Sequence, residues 1–286
     1  MIGSFVGAVL RISVPYSLAA VGGVWSERSG VIQIALEGIL LGAAFCATLG
    51  AHATGSALGG VACGVGCGAL LALLYALCVV VGRGDQIVCG IAINLLVDGA
   101  TRFFLKLKFG SSSNSPRVVS WEQLPHPAFF FIAVAVFLPI VSAFILSWTR
   151  FGLRVRAVGE RPDAAASLGV RPTRVRLVAV VLSGAVAGLG GVWLAVDQHQ
   201  FVAGMSNGRG YIALAAMILG KWRPLSAALA ALTFGAAEAI EVTLQASGGG
   251  APVWLVQMFP YVLTLIVLAG FGGRSIAPAA LGKSEQ

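Results

Sequence analysis

Residues 56–82 and 128–148 hold no charged side chain. Each run is long enough to cross a bilayer as a helix, which takes about 20 apolar residues for a hydrocarbon core of roughly 30 Å. A soluble protein could bury such runs only inside a large polar shell. This chain of 286 residues is 58% hydrophobic and 10% charged, whereas soluble domains carry about a quarter charged residues. A membrane β-barrel is excluded by the same runs, because its strands alternate in hydrophobicity over about ten residues. The expected fold class is therefore all-α, a polytopic transmembrane helical bundle of about eight segments. They fall near residues 3–25, 31–51, 56–82, 86–104, 128–148, 177–197, 209–245 and 253–271, the seventh being a short helix plus a span. One transmembrane domain, residues 1–286, is expected.

Orientation follows from the loops. The stretch from Arg150 to Arg176 carries Arg150, Arg154, Arg156, Arg161, Arg171, Arg174 and Arg176 against only Glu160 and Asp163. Short cytoplasmic loops are enriched in Lys and Arg, so residues 150–176 form the expected cytoplasmic loop. On the resulting topology Arg28, Arg83, Lys221, Arg223, Arg274 and Lys283 are also cytoplasmic. The N-terminus and the polar, Pro-rich segment 105–127 lie outside, with Lys106 and Lys108. Trp121 and Phe129 to Phe131 suit the membrane interface, where aromatic side chains concentrate. The net charge of +8 thus flanks membrane spans and builds no basic face for nucleic acid. No Lys/Arg-led leader with a cleavage site is visible, so no removable signal is expected.

Little in the chain suggests catalysis. Cys63 and Cys67 stand one helical turn apart, but in a Gly-rich run they read as small packing residues. His52, His126 and His199 show no metal-ligand spacing, and there is no phosphate-binding loop. No metal, cofactor or catalytic group is expected. Gly60, Gly64 and Gly68, like Gly184 and Gly188, have the four-residue spacing that lets helix backbones meet closely in lipid.

Polar side chains enter the apolar runs at three places: ERSGVIQIALEG (27–38), GRGDQIVCGIAINL (82–95) and NGRGYIALAAMILG (207–220). Gly-interrupted hydrophobic segments of transporters are often broken or re-entrant helices lining a central path. The candidate substrate path is Gln33, Glu37, Asn94, Asn207 and Arg209. Glu37 stands out, since an ionisable residue inside a span is costly and faces the bundle interior or a cavity; capping of a neighbouring helix is its structural alternative. Asp98 and Arg102, spaced i, i+4, are expected to neutralise each other. Glu238 and Glu241 read as an acidic patch near the outer end of their span.

These residues also resemble a known family. The runs SERSGVIQIALEGILLGA, DQIVCGIAINLL, AVGERPDAAASLGV and GRGYIALAAMILGKWRPLSAALAALTFG are similar to permease subunits of ABC importers. They are nearest the nucleoside branch, which is related to ribose and branched-chain amino-acid permeases. The resemblance covers about residues 10–272 and departs at position 33, where Gln replaces the usual Asn. It implies a non-enzymatic permease for nucleosides in the bacterial inner membrane. The implied partners are a separate ABC ATPase, a second permease subunit completing a heterodimer, and an extracytoplasmic substrate-binding lipoprotein. It also makes residues about 162–169 a coupling helix for the ATPase, through Glu160, Arg161, Pro162, Asp163, Ala164, Ala165 and Gly169. Pro162 starts that helix, Asp163 suits its positive end and Gly169 closes it. The alternatives are a ribose-type sugar permease and an ion-coupled secondary transporter.

Overall fold

A computed structural model describes residues 2–246, 258, 262 and 277–282, and its named elements are all helical. They are α1 (Ile2–Arg28), α2 (Leu36–Thr54), α3 (Ala57–Ala76), α4 (Gln86–Phe109), α5 (Pro127–Trp148), α6 (Arg150–Glu160), α7 (Pro162–Ser167), α8 (Pro172–Gln198), α9 (Arg209–Leu219) and α10 (Pro224–Ala246). α3 runs on into a π-helical turn, Leu77–Val81. Seven of these helices are long and apolar enough to cross a membrane: α1, α2, α3 with its π turn, α4, α5, α8 and α10. The expected segment 253–271, Arg274 and Lys283 lie outside the described residues.

α2 is the most enclosed of the spanning helices, followed by α8 and α1. α2 lies against α3, α4 and α8, while α1 contacts α8, α9 and α10. The packing follows from the small residues. A Cβ on Gly68 would stand 2.5 Å from the Gly184 carbonyl oxygen and 2.9 Å from Gly188 Cα. A Cβ on Gly64 would lie 2.9 Å from the Ala43 carbonyl oxygen. The two Gly-x-x-x-Gly stripes therefore face each other across α3 and α8, and α2 closes on the same surface. Gly68→Val is expected to lower the thermal midpoint of the purified protein by several degrees, because overpacking against backbone costs about 1–3 kcal/mol. A Cβ on Gly66 would meet nothing within 4 Å, so Gly66→Val is the matched control and should be near neutral.

The two ends of the bundle differ. At one end lie the close of α1, the α3–α4 turn, α6 and α7, and the α9–α10 turn; this is the basic end. Residues 277–282 return to it. The Ala280 amide donates to the Gly159 carbonyl (2.9 Å), that of Gly282 to the Gly30 carbonyl (3.4 Å), and that of Ala279 to Glu160 Oε2 (3.4 Å). Ala280 is buried.

At the opposite end the loop after α4 pairs with the segment leaving α8. Amides of Ser115 and Val118 donate to the carbonyls of Phe201 (2.9 Å) and His199 (2.8 Å), and Ala203 donates to Ser113 (2.8 Å). This loop corrects one expectation. Trp121 is fully buried and not interfacial, because Gly60 leaves room for its ring on α3. Phe131 is buried too, 5.2 Å from the Trp193 ring centroid, whereas Phe129 and Phe130 are exposed.

Candidate functional site

Two of the three polar segments are true interruptions of helix. α1 stops at Arg28, Gly30 turns the chain at φ +94°, and residues 31–35 are not helical before α2 begins. Backbone groups freed at membrane depth must find partners inside the protein. Here side chains from three helices supply them. The Ile32 amide donates to Gln86 Oε1 (2.7 Å), and the Tyr75 hydroxyl donates to the Ile32 carbonyl. The Gln33 amide donates to Glu27 Oε1 (3.4 Å). Asn94 works on both sides: its Nδ2 donates to the Ile34 carbonyl (2.9 Å), and its Oδ1 accepts from the Gly38 amide (2.8 Å).

The second interruption precedes α9. Residues 199–208 descend without regular helix from the end of α8. α9 has eleven residues, about 16 Å at 1.5 Å per residue, roughly half the hydrocarbon thickness. Too short to cross alone, α9 begins inside the bundle, and Glu37 holds its N-terminus there. Glu37 Oε1 accepts from the Gly208 amide (2.8 Å) and Oε2 from the Gly210 amide (2.7 Å). A carboxylate is the favoured group at this site, since unpaired N–H groups and the helix dipole both select negative charge. Gly210 permits the approach, as a Cβ there would lie 2.5 Å from Glu37 Cα.

Arg209, next along, turns to α10. Its Nη2 lies 2.5 Å from Glu238 Oε1, its Nη1 donates to the Met205 carbonyl (2.9 Å), and the Tyr16 hydroxyl donates to Glu238 Oε2. Glu238 is thus one member of a mixed-charge cluster joining α1, α9 and α10, and the expected acidic patch is corrected to that extent. Glu241 instead accepts from Gln245 Nε2 (2.9 Å). The third polar segment differs as well. Residues 82–85 form a turn between two complete helices, and Asp85 caps α4 by accepting from the Ile87 and Val88 amides, both at 2.9 Å.

The candidate path residues thus divide by role. Glu37 and Asn94 join α2 to α9 and α4, and Arg209 joins α9 to α10. Asn207 is exposed, at φ +44°. Gln33 is fully buried, and neither polar atom of its side chain has a partner among the described residues. Tyr211 was not singled out by sequence. Its hydroxyl accepts from Asn94 Nδ2 (3.1 Å) and its ring is 48% exposed. Asp98 and Arg102 are paired at 3.2 Å, as their spacing predicts, and both remain accessible. Polar groups and irregular backbone open at this depth need water or protein over them, which suits a path or a subunit boundary.

Sequence reasoning also missed Tyr75, Glu27 and Trp222. The buried Glu27 carboxylate accepts from Trp222 Nε1 (2.6 Å), and Arg28 Nε donates to the Trp222 carbonyl (2.8 Å). A lone Tyr in an apolar run and an acid beside a span end were the available signals.

At the basic end α7 is a six-residue helix with Pro162 at its start. Gly169, at φ +80°, closes it, and the Val170 amide donates to the Ala165 carbonyl (3.1 Å). Glu160, Arg161, Asp163, Ala164 and Gly169 are exposed and Pro162 is partly so, but Ala165 is buried against the protein's own core.

Residues 5–268 match the family described as "Branched-chain amino acid transport system / permease component". The chain is 37% identical to the Guanosine ABC transporter permease protein NupQ of Bacillus subtilis, over 97% of this chain and 94% of that one. It is 35% identical to the Nucleoside ABC transporter permease protein NupC of Lactococcus lactis, over 97% and 95%. A more distant relative is the Putative glucose ABC transporter permease protein TsgC13 of Haloferax volcanii, 28% identical over 93% and 92%. No solved structure matches.

Proposed function

This chain belongs to the branched-chain amino acid transport system permease family of ABC transporters, and from that membership we propose that it is a permease subunit of a nucleoside importer. The protein is a multi-pass inner-membrane protein. The observation that carries the substrate class is the near full-length likeness to permeases named for guanosine and for nucleosides. The mid-membrane junction of Glu37, Asn94, Tyr211 and Arg209 supports a translocation role, since half-helix ends near the bilayer midplane are where transporters handle solute.

On this reading the basic end is cytoplasmic, as the positive-inside bias supports. α7, with Glu160, Arg161, Pro162, Asp163, Ala164 and Gly169 about it, is the element that seats in a separate ATPase. Ala165 anchors α7 from within. A second permease completes the path, and a binding lipoprotein delivers substrate from the opposite side.

The test is uptake of labelled guanosine into proteoliposomes holding this chain, its sister permease and the ATPase. ATP-dependent accumulation is expected. It should vanish when the ATPase is omitted and should not return under a Na⁺ or H⁺ gradient. Gradient-driven uptake without the ATPase would make the protein an ion-coupled transporter. Competition by ribose or glucose, with none by guanosine, would make it a sugar permease, the reading the Haloferax relative favours.

A further inference from the structure

A groove at the basic end lies between α6, the α7–α8 turn and the start of α8, with a volume of about 290 Å³. Arg154, Arg171 and Arg174 line it, over a floor of Gly169 and Val170 with Leu168 and Val175 beside them. No carboxylate among the described residues lines the groove. Among the described residues these three guanidinium groups show no hydrogen bond or ion pair, and none carries an interaction beyond those described. Three cations gathered without a counter-charge repel one another, so the arrangement favours an anion. Guanidinium groups bind phosphate oxygens through paired N–H donors.

The surface next to the groove says which anion. Arg171, Arg174, Val178 and Leu182 are spaced i, i+3, i+7 and i+11, which sets them on one face of α8. Val178 is 47% and Leu182 is 39% exposed. Directly bilayer-ward of the arginines, then, runs an open apolar strip. On the α5–α6 side Leu153 is 61% and Trp148 is 81% exposed, and Trp is the side chain that settles at headgroup level. Charge above and open apolar surface below is the profile of a phospholipid, with its phosphate among the arginines and an acyl chain along α8. A soluble acidic partner could reach the arginines but would leave Val178 and Leu182 uncovered.

We propose that this groove binds the phosphate of an anionic phospholipid. Gly169 and Val170 belong both to its floor and to the turn that closes α7, so an occupied groove fixes α7 from below. The proposal uses the functional reading only to place this end in the cytoplasmic leaflet. Basic pockets between helices on that side take lipid headgroups, at about 1 kcal/mol per Lys or Arg near the surface.

The experiment uses the purified complex with its ATPase, in nanodiscs of phosphatidylcholine alone or mixed with phosphatidylglycerol. Native mass spectrometry counts the lipid retained after release into detergent. The wild-type complex should retain phosphatidylglycerol in clear preference to phosphatidylcholine. Each substitution among Arg154→Gln, Arg171→Gln and Arg174→Gln should cut that preference about fivefold, with the ATPase still bound. Equal retention of the two lipids by the wild type would overturn the proposal. So would loss of the ATPase from the variants with lipid retention unchanged, which would make the groove a protein contact. Displacement of phosphatidylglycerol by inorganic phosphate would assign the site to free phosphate and overturn the lipid. If guanosine uptake fails while the lipid preference holds, the substrate reading falls alone.

Discussion

Glu37→Ala is expected to reduce the initial rate of guanosine uptake at least tenfold, with membrane insertion and assembly of the complex unchanged. The carboxylate accepts from two amides, those of Gly208 and Gly210, in partly buried bonds at the start of α9. Leaving a buried donor unpaired costs about 1–3 kcal/mol, and two such losses at one helix end exceed the roughly 1.4 kcal/mol that makes a tenfold change. The cost falls on the seat of α9 rather than on the bundle, because α9 also packs on α1 and α10. Glu37→Gln should fall between the two, since one amide oxygen can replace only part of the pair. A wild-type rate in Glu37→Ala would remove the α9 seat from the transport cycle.

Leu168→Glu is expected to reduce co-purification of the ATPase tenfold or more. Leu168 is 85% exposed at the end of α7. On the proposed reading α7 seats in the ATPase, and Leu168 is its large apolar outward group. Fully burying a leucine is worth about 1.5–3 kcal/mol, and a carboxylate in its place adds a desolvation cost. Ala165→Arg is the informative contrast. Ala165 is buried within the chain, so an arginine there should unseat α7 and lower the thermal midpoint. Leu168→Glu should leave that midpoint unchanged. Retention of the ATPase by Leu168→Glu, with uptake still coupled, would leave the loop no more than a basic anchor.

The spans were legible because charge is sparse in them, and close packing at α3 and α8 because Gly60, Gly64, Gly68, Gly184 and Gly188 repeat at helical spacing, although nothing local said that the two helices meet each other. The Asp98–Arg102 pair was legible for the same local reason. Partners distant in sequence were not. The amides that Glu37 accepts from lie 171 and 173 residues away, and Arg209 meets Glu238 on another helix. No local pattern encodes either choice. Glycine misled at residues 82–85, where Asp85 signals an N-cap and hence a turn. It also hid the place of Trp121, whose burial depends on the missing side chain of Gly60. The inward direction of Ala165 was beyond reach, since six residues are too few for a hydrophobic face to repeat.

Ala280 follows Gly159 by 121 residues, yet the two share a backbone hydrogen bond. At ribosomal rates of about 5–20 residues per second, this bond waits roughly 6–24 s after Gly159 is made. The close contact of Gly159 with the Arg28 carbonyl and Gly30 is local to the early-made helices and can form first. The junction beneath α7 is therefore finished last in biosynthesis, after the helices it serves. A chain cut short by nonsense mutation or proteolysis before residue 277 would keep the seven described spans and still lack the segment that ties Gly30 to Gly159. Loss of residues 277–282 would thus strip the Gly159 and Gly30 carbonyls of the amide partners that Ala280 and Gly282 supply.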